Sequence, residues 1–113
     1  MHNALELISD KIGLIDSIVS ERGSITNALA DEKLSRPAIL MHLIAIAEQF
    51  QRLQDQQEYV LLSRFEKEDI RGAFAVRNFI AHDYEGVNMA LIEGVIRSYL
   101  PKIKHVIESI DAE

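Results

Sequence analysis

The stretch "RNFIAHDY", residues 77 to 84, gathers the side chains of this chain best suited to chemistry. Arg77 carries a fork of N–H donors, the group that grips anions through paired hydrogen bonds. His82 brings an imidazole, and imidazoles as a class exchange protons near neutral pH. Asn78, Asp83 and Tyr84 stand beside them with further donors and acceptors. A plainer reading competes. Helical arginines are mostly solvated, and a histidine near a helix C-terminus often does no more than complement the dipole. An Asn–His pair can be a cap, and a tyrosine after a helix packs its ring while wetting its hydroxyl. On spacing alone the plainer reading is the stronger, because short motifs are weak evidence.

On a helical wheel, with about 100° per residue, Ala73, Val76, Phe79 and Ile80 group on a core-facing side. Arg77, Asn78, Ala81, His82 and Tyr84 spread over the opposite side, with Tyr84 almost directly above Arg77. Asn78 and His82 are four apart, so their side chains can meet. Arg77 and His82 lie roughly 140° apart around the axis, too far to converge on an ideal helix. They converge only if the helix frays near His82 or if a second subunit supplies the missing group. Ile70 and Phe74 share the outward face with the polar set, which reads as a contact surface. A two-fold dimer through Ile70, Phe74, Arg77 and Ala81 would bring two copies of that set together.

Four longer elements must hold this segment. From Leu5, the stripe Ile8, Ile12, Ile15 and Val19 predicts a first helix, with Leu7, Leu14 and Ile18 as a second stripe. Gly23 in "SERGS" is placed to cap its end. "SITNALADEKLS" has room for a short helical turn, and Ser35 before Arg36 and Pro37 is a plausible N-cap. The next helix runs to about Gln54, with Ile39, Leu43, Ile46, Phe50 and Leu53 inward and Leu40, Ile44 and Ala47 widening the face. A third spans roughly Glu66 to His82, its acidic start "FEKEDIR" favouring the dipole. After "DYEGVN", a fourth turns Leu91, Ile92, Val95 and Ile96 inward and continues through Ile103, Val106, Ile107 and Ile110. Pro101 should kink or divide it. The fold class expected is all-α, an antiparallel bundle of four main helices plus a short helical turn, in one domain over residues 1–113.

Composition narrows the function classes. A chain of 113 residues, 48% hydrophobic and 27% charged, suits a water-exposed globule with one core. No apolar run approaches the roughly 20 residues needed to span a bilayer, so no membrane is expected. The start "MHNALELISDK" has an early acid and no basic n-region, which reads against a secretory signal. With no cysteine as well, a cytoplasmic location is expected, and disulfides and thiolate metal sites are excluded. A net charge of −6 argues against broad, non-specific duplex binding but leaves room for a local anion site built on an arginine or two.

"RNFIAHDY" fits the Arg-x4-His-x-Tyr signature of the HEPN superfamily and specifically resembles the HepT-like toxins. The context agrees: Asn follows the Arg, Asp separates His from Tyr, and "EGVN" resembles the turn that follows in that family. "LMHLIAIAEQFQRL" is similar to its second-helix "GEA" segment, and "YLPKIKHVI" to its proline-containing end. The family often has Gly-Glu-Ala where this chain has Ala47, Glu48 and Gln49, so only the glutamate is kept. The resemblance covers nearly the whole chain.

It implies an all-α homodimer that cuts RNA without metal, its paired motifs facing each other across a cleft. Arg77 would hold the scissile phosphate, and His82 would act as base on a ribose hydroxyl or as acid to the leaving oxygen. The product would be a cyclic phosphate, since the nucleophile is the RNA's own hydroxyl. Asn78 would orient His82, Asp83 would support the set, and Tyr84 would position RNA or the arginine. The resemblance also implies a partner, a minimal nucleotidyltransferase antitoxin often called MntA, which transfers AMP groups from ATP onto the motif tyrosine, here Tyr84.

No cofactor is expected, and no metal, because His2, His42, His82 and His105 fall on different elements without ligand spacing. His42, beside the core stripe of its helix, reads as an interior or interface residue. The competing reading is a non-catalytic helical partner that binds or assists a nucleotidyltransferase. Such a protein would keep the bundle without needing Arg77 and His82.

Overall fold

The computed structural model describes residues 2–113, and among these it contains six helices and no strand. Helix α1 spans Asn3–Arg22, α2 Ile25–Ala30, α3 Ser35–Asp55, α4 Tyr59–Leu62, α5 Lys67–His82 and α6 Met89–Asp111. The four long ones are those that hydrophobic periodicity predicts. Gly23 ends α1 in the left-handed region at φ 94°, and its N–H reaches the Val19 and Ser20 carbonyls. Only glycine takes that conformation without strain. Ser24 caps the short α2 by accepting from the Asn27 N–H at 3.0 Å.

The N-cap of α3 differs from expectation. Ser35 already lies inside the helix, buried, and Asp31 does the capping, its Oδ2 accepting from the Ser35 N–H at 3.0 Å. These bonds from the Ser35 backbone and hydroxyl hold the Asp31 carboxyl below the usual carboxylate range. Arg22 also pairs with this carboxylate, at 2.9 Å. The Ser35 hydroxyl in turn accepts from Arg22 Nε at 2.9 Å, tying the end of α1 to the start of α3.

Helix α3 forms the middle of the molecule, packed between α1 and α5, with α6 against α5. Ile39, Leu43, Ile46, Phe50 and Leu53 are all buried, with Leu40 and Ala47 widening the stripe as anticipated. In α1 the first stripe is buried through Ile15, while Leu14 of the second stays 45% exposed. Phe50 meets Phe65 edge-on at 5.2 Å, which pins the turn after α4 onto α3. Helix α4, four residues long, was not legible in the sequence.

Two inward assignments need correcting. Phe79 is 53% exposed and Leu91 40% exposed. The buried stripe of α5 is Asp69, Ala73, Val76 and Ile80, at steps of four, three and four, and Phe79 sits about a quarter turn from its centre. In α6 the stripe is Ile92, Val95, Ile96, Leu100, Ile103 and Ile107, which leaves Leu91 on its flank. Pro101 does not divide α6; it lies on the exposed side of a helix that runs unbroken from Met89 to Asp111. Helices α5 and α6 approach closely at Gly72, where a side chain would run into the Tyr99 ring. No helix of the described residues is long and apolar enough to cross a membrane.

Asp69 is the buried exception at the start of α5. It is 1% exposed, its Oδ1 accepts no hydrogen bond, and Lys102 Nζ stands 3.8 Å away. Burial pushes its carboxyl up, with Lys102 opposing and Glu66 and Glu68 reinforcing. A carboxyl whose folded pKa is raised stabilises most when protonated, and that stability is lost as pH rises through the folded value. Asp69→Asn, which keeps the shape without the charge, should therefore raise the melting temperature at neutral pH. The gain should shrink to nothing as pH falls below the ordinary carboxylate pKa. Melting curves of both proteins across an acid-to-neutral series measure this directly; a gain that persists at acid pH contradicts it.

Candidate functional site

The polar segment occupies the last turns of α5 and the loop after it. Arg77 is half-buried, and its guanidinium carbon lies 5.0 Å from the centroid of the Phe74 ring, three residues back on the same helix. That stacking holds the side chain along the helix surface. Its Nε donates to the Asn78 side-chain oxygen at 3.3 Å, while its two terminal amino groups make no hydrogen bond and no ion pair among the described residues. Arg77 is thus a held cation with free donors, the state required to take an anion.

Asn78 therefore turns toward Arg77, and no hydrogen bond joins it to His82 among the described residues. His82 is the last residue of α5 and exposed. The helix is regular up to it, because the Asp83 N–H still bonds the Phe79 carbonyl at 3.1 Å. Fraying does not bring His82 round to Arg77; within one chain the two stay on different sides of the helix.

Asp83 closes the loop. Its Oδ1 accepts from the Gly86 N–H at 3.1 Å, a side-chain-closed turn in which any side chain at 86 would strike the Asp83 carboxylate. Tyr84 sits within that turn, 41% exposed, its hydroxyl unbonded among the described residues. Asn88 then starts α6 by accepting from the Ala90 N–H at 2.8 Å, as its type and place predict.

Of the four residues assigned to a contact surface, Ala81 is exposed and Arg77 half-buried, while Ile70 and Phe74 are partly buried against the core. His42 is partly buried too, and desolvation, aided by the charge of Lys11, lowers its pKa. Sequence reasoning missed the Phe74 platform under Arg77, although the spacing of three between an aromatic residue and an arginine on one helix is a usable signal.

A helical bundle with no strand among the described residues is consistent with the fold of the HEPN superfamily. The family model described as ribonuclease HepT-like matches residues 8–110, and the chain belongs to that family. No curated protein and no solved structure matches it. Membership supports ribonuclease activity and RNA as the substrate.

Proposed function

We propose that this chain is the toxin of a type VII-like toxin–antitoxin pair, an endoribonuclease that needs no metal and works as a homodimer. Two copies pair along α5 so that their motifs share one cleft. The observation that carries the reading is the state of Arg77: stacked on Phe74, with its terminal donors free, on a helix that ends in an exposed His82.

The chemistry follows from the residues. Arg77 grips the scissile phosphate and offsets the charge growing on its oxygens. His82 takes the proton of the ribose 2′-hydroxyl, whose oxygen attacks the adjacent phosphorus. The P–O5′ bond breaks, and the departing oxygen receives a proton from the partner's His82. The products are a 2′,3′-cyclic phosphate and a free 5′-hydroxyl. One imidazole cannot be base and acid in the same step, and within one chain His82 does not reach Arg77. A second copy answers both needs.

The test is purified protein on a labelled RNA with excess chelator. Cleavage should persist, and the upstream fragment should carry a cyclic phosphate end. No cleavage, or cleavage abolished by the chelator, overturns the reading and favours a non-catalytic partner or a metal-dependent enzyme respectively.

A further inference from the structure

Helix α5 carries free positive charge beyond the motif. Arg22, Arg36, Arg64, Arg97, Lys102 and Lys104 are each paired with a carboxylate. Among the described residues Lys11, Lys33, Arg52, Lys67, Arg71 and Arg77 are in no such pair, and the last three lie within about three turns of one helix. These three share α5 with Glu68 and the buried Asp69, so in a chain of net charge −6 this helix keeps a small positive balance. Lys67, Arg71, Phe74, Asn78 and His82 recur at steps of four, three, four and four, so they form one stripe leading to the motif.

Beside the start of this stripe, α4 and α5 leave a groove of about 420 Å³ between them, within the range of small-molecule sites. Its lining includes Gln54, Tyr59, Ser63, Lys67, Arg71 and Phe74. Tyr59 is 63% exposed, an aromatic ring held in solvent on a helix whose Leu61 and Leu62 pack against the core. Phe74 belongs to the groove and also lies under Arg77, so the groove is continuous with the proposed phosphate grip. Arg71 and Arg77 are separated by about 9 Å of helix rise.

We propose that this groove is a nucleobase subsite, which takes one unpaired base of the RNA a short step along the strand from the bond cut at Arg77. The base stacks against Tyr59 and Phe74, Gln54 and Ser63 meet its polar edge, and Lys67 and Arg71 hold the flanking phosphates. The substrate class that fits is a single-stranded segment whose bases can leave the stack, not a continuous duplex. Ile70 and Phe74 of the groove's lining also lie on the face expected to pair two copies, so a second copy is the competing occupant, and sedimentation of the variants separates it from RNA. The inference rests on the reading of Arg77 as a phosphate grip, and its test separates the two.

Binding is measured on the full-length His82→Ala chain, with a labelled single-stranded oligoribonucleotide and a matched hairpin duplex as probes. Tyr59→Ala and Arg71→Ala, each added to that chain, should weaken single-strand binding about tenfold, the scale of one stacked base. Duplex binding should change far less. Melting temperature and sedimentation of the variants should match the parent, since both side chains are exposed. Unchanged single-strand binding overturns the proposal, and so does a shift in sedimentation, which would assign the groove to a subunit contact. If wild type cuts no RNA but Tyr59→Ala still weakens single-strand binding, the subsite stands and the catalytic reading falls.

Discussion

A mixed dimer of one wild-type subunit and one His82→Ala subunit should cut RNA as poorly as a dimer lacking both imidazoles. The step needs a base for the 2′-hydroxyl and an acid for the departing oxygen, and each copy supplies one imidazole. Losing either proton transfer removes a contribution of about 10²–10⁴ in rate. Two differently tagged chains, co-expressed and purified through both tags, give the mixed species. Half of the wild-type activity would show that each subunit is self-sufficient, and the shared-cleft reading would fail. Arg77→Ala in both subunits should cost about 10²–10³, the usual loss when one transition-state donor is removed. Arg77→Lys should recover little, because an ammonium cannot present two parallel donors to a phosphate. Neither side chain is part of the buried core, so melting temperatures should barely move, and lost activity cannot be ascribed to unfolding.

These expectations depend on what the sequence could and could not disclose. Helices α1, α3 and α6 were legible because their apolar stripes repeat over many positions, as in Ile39 to Leu53, while the stripe of α5 has only Ala73, Val76 and Ile80 as buried apolar residues. Gly23 was legible as a cap because the left-handed region selects glycine so strongly. Phe79 and Leu91 were misassigned for one shared reason. Each stands next to a genuine core residue, Ile80 and Ile92, and hydrophobicity alone does not fix where a stripe ends. Ser35 is not the N-cap because the helix starts at it, one residue after Leu34, and the Asp31 carboxylate reaches its N–H from four residues back. The residues of "RNFIAHDY" were legible because they are contiguous, and contiguous motifs need no tertiary information. Their partners were not. Whether Asn78 bonds Arg77 or His82 depends on rotamers, and the wheel allows both. The groove beside α4 was invisible, since a four-residue helix has no period to detect.

On the proposed toxin reading, Tyr84→Phe should abolish inactivation by a minimal nucleotidyltransferase antitoxin while leaving RNA cutting largely intact. In the proposed modification the phenolic oxygen attacks the α-phosphorus of ATP, pyrophosphate departs, and the tyrosine keeps AMP through a new P–O bond. The hydroxyl is suited to that attack: it is unbonded among the described residues and stands on a tight turn that Asp83 and Gly86 close. The adduct puts a phosphate on the loop directly after the helix that carries Arg77, where it would compete with RNA for the free donors. Phenylalanine removes the nucleophilic oxygen and keeps the ring, so the turn and any stacking survive. Intact-mass measurement after incubation with the antitoxin and ATP should show added AMP units on wild type and none on Tyr84→Phe. Cells expressing the variant should stay arrested even when the antitoxin is present. Tyr59 supplies the internal control, since its ring is more exposed than that of Tyr84 and it lies outside the motif. Tyr59→Phe should be modified as wild type is. If Tyr84→Phe still gains mass and Tyr59→Phe does not, the modified residue belongs to the α4–α5 groove, and inactivation works by filling the base subsite instead of by screening Arg77.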